Sequence, residues 1–210
     1  MRAVVLLSGG LDSSTCLGYV RKSWPARDIL ALSFHYGQKH SSELEAAKVV
    51  AGWYGVEHQI VDLPPVFHGY GSTLIDDIPN PHQSYAELRK AHGPSPTYVP
   101  FRNGVFLSIA TAVALTVHAK VVYIGTHADD AHNWAYPDCT PEFLGAMREA
   151  MYVGSYQQVD LISPFTTYSK SDIVRLAREL GVPNKLTYSC YEGREQHCGL
   201  CPTCVSRIEA

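Results

Sequence analysis

The segment Ser8-Gly9-Gly10-Leu11-Asp12-Ser13 ends an aliphatic run and opens a helical pattern. Its glycines let backbone amides turn toward one point, and the N-terminus of the next helix adds positive potential. The hydroxyls of Ser8, Ser13 and Ser14 can donate to anionic oxygens. Such a corner cradles a phosphate. It lacks the Gly-Lys-Ser/Thr ending of a Walker A loop and is not a GxGxxG turn; a strand-to-helix turn capped by Asp12 is the plainer alternative. The candidate phosphate-binding segment comprises Leu7, Ser8, Gly9, Gly10, Leu11, Asp12, Ser13, Ser14, Thr15, Cys16 and Leu17. A branched side chain at Gly9 is expected to block the anion while sparing the fold.

At the other end, Cys190, Cys198, Cys201 and Cys204 fall within fifteen residues. Four thiolates at that spacing suit tetrahedral zinc, and a closed four-sulfur site leaves no position for substrate, so its expected role is to pin a tail too short to build its own core. An iron–sulfur cluster and redox disulfides are the competing readings. Lys39 and Arg102 are candidates to neutralise phosphate or carboxylate charge, against the alternative of solvated surface cations. Ten histidines show no metal-like pairing; His127 and His132 stand out near a strand end. Phe34, Tyr36 and Trp134 can stack a planar base, although strand aromatics more often fill cores.

Elements that would position these residues are legible. Residues 3–7, 29–35, 57–61 and 121–124 read as strands, separated by amphipathic helical patterns. Ser42-x-x-Glu45 has capping-box spacing ahead of Leu44, Ala47, Ala51 and Tyr54, with Gly55 as a stop. Asn103 is expected to cap a helix whose inner face is Val105, Ile109, Ala112, Val113 and Thr116. Thr140-Pro141 starts another helix that ends near Gly154. Ser169-x-x-Asp172 opens the last, with Ile173, Leu176, Ala177 and Leu180 inward. Strands alternating with helices predict an α/β fold, a Rossmann-like parallel sheet with helices on both faces, plus a small C-terminal zinc-binding knuckle. In such sheets ligands sit beyond the carboxyl ends of strands, where the opening loop falls. The expected division is an α/β domain over 1–184 that carries the phosphate cradle and a four-cysteine segment over 185–210. Residues 64–100, with seven prolines, read as a lid-like loop.

SGGLDS resembles the loop of the PP-loop ATP pyrophosphatases, which cleave ATP between the α and β phosphates and leave an adenylated substrate. "HYGQKH", "YVPFRN", "YPDCTPEF" and "SCYEG" leading into the cysteines make the chain similar to the 7-cyano-7-deazaguanine synthases of the queuosine pathway. That resemblance implies two ATP-dependent steps that convert 7-carboxy-7-deazaguanine and ammonia to the nitrile, with magnesium on the phosphates. It implies Asp12, Ser13, Lys39, Arg102 and Asp138 as catalytic candidates, Asp138 accepting from a guanine-like edge; an acidic helix N-terminus explains Asp138 too. Three departures stand out. Phe101 replaces a customary glycine, the loop before Tyr136 is longer, and Ala135 replaces another glycine. Relatives that stop at the amide or join another amine, tRNA thiolases with catalytic cysteines, and an ATP-binding zinc interaction module are the rival readings.

Composition agrees with a small-molecule enzyme. The 210 residues are 46% hydrophobic and 18% charged, with a formal charge of −3, which supplies no broad basic field for nucleic acid. No apolar run reaches the roughly 20 residues of a membrane span, and no basic leader precedes one, so no membrane partner is expected and the expected location is cytoplasmic. The sequence leaves the oligomeric state, a homodimer included, open.

Overall fold

A computed structural model describes residues 2–88, 90, 93–194 and 196–210. Five strands form one parallel sheet: β1 (Arg2–Leu6), β2 (Ile29–His35), β3 (Glu57–Asp62), β4 (Ala119–Tyr123) and β5 (Asp160–Ile162), in the order β3-β2-β1-β4-β5. Eight α-helices are described: α1 (Leu11–Ser23), α2 (Ser42–Tyr54), α3 (Tyr85–Leu88), α4 (Arg102–Thr116), α5 (Ala128–Ala131), α6 (Pro141–Gly154), α7 (Lys170–Glu179) and α8 (Pro202–Glu209).

Period-two alternation sorts the central strands into two cores. Ala3, Val5, Ile29 and Ala31 face Leu17 of α1, Val50 of α2 and Ile173 of α7. Val4, Leu30 and Leu32 face Leu107 and Ala110 of α4 and Leu144 and Met151 of α6. Each large aliphatic side chain withdrawn from water contributes about 1.5–3 kcal/mol, so both faces must stay covered. The strand order reverses beside β1, between β2 and β4, and that switch point opens a crevice at the carboxyl ends.

Three readings of the sequence shift on the structure. The Ser42–Glu45 box does not form: Ser41 is the N-cap of α2, and its carbonyl, not a side chain, accepts from Leu44 and Glu45. Helix α4 is largely apolar, so periodicity places its face only in part: Val105, Ile109 and Val113 do pack against the core. Leu107, Ala110 and Ala114 are its buried apolar residues, whereas Ala112 and Thr116 are exposed. Strand β5 is only three residues long and gives no pattern to read. Two helix starts behave as their sequences suggest, Thr140 accepting from the Phe143 amide and Ser169 forming a reciprocal box with Asp172.

Phe101 adopts the left-handed conformation (φ 54°) that a glycine would take without strain. Its ring lies over Gly104, where a Cβ would stand 2.3 Å from Cε1, and meets Phe143 edge-on at 5.5 Å. The left-handed turn is thus built with a phenylalanine, at a local cost of about 1–2 kcal/mol.

Candidate active site

The phosphate-type loop leaves β1 and turns into α1 at the switch point. Gly9 has φ 84°, and a Cβ there would stand 2.2 Å from the Glu43 carbonyl oxygen and 2.6 Å from the Ala47 nitrogen. This glycine is therefore demanded by the approach of α2, so Gly9→Val would break the fold rather than merely block a ligand. Gly10 is different, its nearest neighbour to an added Cβ being Ser8 Oγ at 3.5 Å. Ser8 and Ser13 share a 3.0 Å hydroxyl contact, and the Ser8 amide donates to Ser13 Oγ. Ser8, Gly10, Leu11, Asp12 and Ser13 line a cleft of about 280 Å³. Ser14, Thr15, Cys16 and Leu17 of the predicted segment do not; all four are buried on the inner side of α1, with Thr15 Oγ1 donating to the Leu11 carbonyl.

Asp12 is the electrostatic centre of this wall. Lys170 Nζ reaches its two oxygens at 2.5 and 2.7 Å, and His127 Nε2 lies 3.7 Å away. Burial pushes the Asp12 carboxyl up, but Lys170 and His127 prevail and hold it below the ordinary carboxylate range. Burial likewise pushes His127 down, and Asp130, 3.6 Å away, with Asp12 overrides it, so the net shift favours imidazolium. The Lys170 amide donates to Asp129. Lys170 escapes sequence reading, yet it carries a signal. A cation in the first turn of a helix opposes the helix dipole, and such a violation calls for a local reason.

Opposite stand Phe34, Tyr36 and Phe106, with Phe34 and Phe106 stacked at 4.2 Å. Arg102 donates to Tyr36 Oη at 3.0 Å and lies over both the Tyr36 and Phe106 rings. Burial opposes its charge, while Tyr36 and Asp138 more than restore it. Lys39 also lines the cleft and donates to the Ile78 carbonyl at 2.6 Å. Glu43, unremarked in the sequence because an acid suits a helix start, projects from α2 into the same space.

Asp138 is not brought to the cleft lining. It is buried and its Oδ2 accepts from the Asn103 amide at 2.8 Å, while Asn103 Nδ2 meets the Asp138 carbonyl and Cys139 Sγ. Asp138 thus satisfies the start of α4, and Asn103, expected to be a cap, is held by it. Trp134 and His132 are exposed and outside the lining.

The four cysteine sulfurs lie within 4.8 Å of one another, a cluster able to bind a metal ion. Cys198 Sγ accepts from the amides of Leu200 and Cys201, and Cys190 Sγ from that of Cys198. The same tail supplies cleft wall through Thr203, Ser206 and Arg207. Arg207 is braced by Thr187 Oγ1 at 2.8 Å and the Asn184 carbonyl at 2.6 Å. None of the described helices is long and apolar enough to cross a membrane.

Over residues 2–210 the sequence matches the family described as Queuosine biosynthesis protein QueC. It is similar to the 7-cyano-7-deazaguanine synthase of Picrophilus torridus, at 42% identity over 99% of this chain and 86% of that protein. The enzyme of the same name from Aquifex aeolicus is 43% identical, over 99% of this chain and 94% of its own. Among solved structures, the U34-tRNA thiolase NcsA from Methanococcus maripaludis with its 4Fe-4S cluster has a TM-score of 0.54 at 20% identity, covering 90% of this chain and 60% of that one. That likeness is one of fold.

Proposed function

The chain belongs to the queuosine biosynthesis protein QueC family, and from that premise we propose how its cleft performs the family's chemistry. The protein is an ATP-dependent ligase that converts 7-carboxy-7-deazaguanine and ammonia to 7-cyano-7-deazaguanine. A carboxylate resists attack by ammonia because oxide would have to leave. Transfer of AMP to the acid supplies a competent leaving group, and the amide forms. A second transfer, to the amide oxygen, lets AMP depart again and leave the nitrile.

The observation that carries the residue roles is the convergence of Ser8, Ser13, Lys170 and Arg207 around Asp12 in one cleft facing an aromatic wall. Ser8 and Ser13 exchange their mutual contact for oxygens of the pyrophosphate. Lys39, Lys170 and Arg207 stabilise charge on that leaving group, with Asp12 holding Lys170 in place. Phe34, Tyr36 and Phe106 pack the planar base, and Arg102 meets the acid. Magnesium, when bound with the nucleotide, offsets phosphate charge, and Asp130 beside His127 is the cleft carboxylate that fits it.

Zinc is the ion we assign to the cysteines. Tetrahedral Zn–S bonds of about 2.3 Å set sulfurs about 3.8 Å apart, and Cys198 and Cys204 are 3.9 Å apart. A four-iron cluster would spread its thiolates wider. In this reading residues 1–184 form the ATP-binding domain and 185–210 the metal-pinned segment that completes its wall.

The test is stoichiometric. Purified protein with ATP, magnesium, ammonia and the carboxylated deazaguanine should release about two AMP per nitrile, one for each leaving group. A ratio near one with amide that persists under fresh ATP would refute completion of the nitrile, and ADP as product would refute adenylation.

A further inference from the structure

All three protons of ammonia must leave the nitrogen before a nitrile exists, so the reaction needs a base as well as cations. Among the described residues three carboxylates line the cleft: Asp12, Glu43 and Asp130. Asp12 is bound to Lys170 through both oxygens. Asp130 faces His127 and also meets its backbone amide at 3.3 Å. Of the two histidines among the described cleft residues, His127 lies between those acids, whose charges favour its protonated, donor-only form. The His40 ring is pressed onto Gly193, where a Cβ would stand 2.1 Å from Cγ.

Glu43 is placed differently. It reaches the cleft from the first turn of α2, the turn whose Glu43 carbonyl packs on Gly9, and Leu44, Leu74 and Phe106 line the same cleft. The charged or titratable groups that act on it are Arg102 of α4 and Tyr36 after β2. Arg102 already donates to Tyr36, and no ion pair within 4 Å engages the Glu43 carboxylate among the described residues.

We propose that Glu43 is the base that takes the nitrogen's protons. The inference rests on the ligase reading above. In the first half, ammonia forms the C–N bond, the C–O bond to AMP breaks with its electron pair leaving on the phosphate, and an N–H proton passes to Glu43. In the second half the adenylated amide surrenders one N–H proton, AMP leaves with the C–O pair, and the last N–H proton follows as C≡N forms. Between these events Glu43 releases each proton to water at the cleft mouth. Two cleft carboxylates in opposed environments divide the labour: Asp12, locked in its charged state, orders cations, while Glu43 exchanges protons. Burial pushes the Glu43 carboxyl up to about 7 against the downward pull of Arg102, which suits proton exchange near neutrality.

Glu43→Gln separates the two halves of the proposal. With acid and ATP but no ammonia, the variant should release pyrophosphate and form the acyl-adenylate at the parent's rate. On adding ammonia, amide formation should fall about 100-fold with the KM values for acid and ATP unchanged. Assayed at constant free ammonia, the parent's amide-forming rate should rise with pH through about 7, and this limb should vanish in Glu43→Gln. Glu43→Asp, which keeps a retracted carboxylate, should be slow but keep the limb, and it decides the matter should Glu43→Gln not fold. Impaired adenylation, a raised KM for the acid with kcat intact, or a limb that persists in Glu43→Gln and disappears in His40→Gln would each overturn the assignment. A parent that releases no pyrophosphate with acid and ATP would instead overturn the ligase reading, and this inference with it.

Discussion

Lys170→Met asks whether the Asp12 carboxylate is held by the ammonium or by the fold around it. Removing one member of a fully buried ion pair costs about 3–5 kcal/mol. Here the side chains of Lys170 and Asp12 keep 19% and 30% exposure, and His127 remains 3.7 Å from the carboxylate, so a loss of about 2 kcal/mol is expected near neutral pH. In a chain of this size that lowers Tm by about 4–8 °C. The pH dependence carries the sharper test. In the parent the folded Asp12 carboxyl lies below its unfolded value, so its contribution is complete above about pH 4 and drains as pH falls through the folded pKa. In the variant the upward push of burial is opposed by His127 without Lys170, so the folded carboxyl takes its proton at higher pH. The stability gap should therefore narrow on acidification, by up to about 1.4 kcal/mol per pH unit where only the variant's folded state is protonated. His127, raised in pKa, contributes below its unfolded value and loses that contribution as pH rises; Lys170 pulls it down in the parent, so in the variant it rises further and narrows the gap in acid in the same direction as Asp12. Urea unfolding of both proteins near pH 7 and near pH 4 measures the gap. A Tm unchanged within about 1 °C, or a gap that does not narrow in acid, would refute the argument.

Gly9→Ala should lose folded protein, because its Cβ would overlap the Glu43 carbonyl at 2.2 Å and the backbone is left-handed, whereas Gly10→Ala should fold; circular dichroism of the two variants checks the contrast. Phe101→Gly should change stability by less than about 1 kcal/mol, relief of the left-handed strain offsetting the lost ring contacts, while Phe101→Ala keeps strain and loses contacts and should cost about 1–2 kcal/mol; urea midpoints compare them. Freshly purified protein should carry one zinc per chain by elemental analysis, and Cys201→Ser or chelation should expose α8 to protease and weaken ATP binding through Arg207.

What the sequence made legible was local chemistry. The four clustered cysteines, the glycine-serine corner and the Thr140 and Ser169 caps each declare themselves within fifteen residues, and strands alternating with helices imply the parallel sheet. The partners that complete the site lie far away in sequence: Lys170 meets Asp12 across 158 positions, and no local pattern encodes that contact. Glu43 was silent for a different reason, since an acid in a first helical turn already has an explanation. Asp138 was read as a ligand group because its segment is distinctive; the structure gives it the amide of Asn103, and only burial revealed that. The same limit applies to α4, whose largely apolar surface leaves its inward face to tertiary packing.

The cysteine tail shows why the site cannot be assigned to one segment. Cys201 caps α8 and Cys204 is its third residue, so an ion on these sulfurs fixes the first turn of that helix. Arg207 follows one turn later, braced by Asn184 and Thr187, which precede the first cysteine. Thr203 Oγ1 also donates to the Ser189 carbonyl at 2.6 Å, and the Tyr188 amide donates to the Gly9 carbonyl at 2.9 Å. These bonds form a continuous path from the cysteine cluster to the glycine-serine loop. A metal with no open coordination position would therefore act on the site by geometry alone, holding a guanidinium in the wall of a cleft whose other described cations come from α4, α7 and the loop after β2.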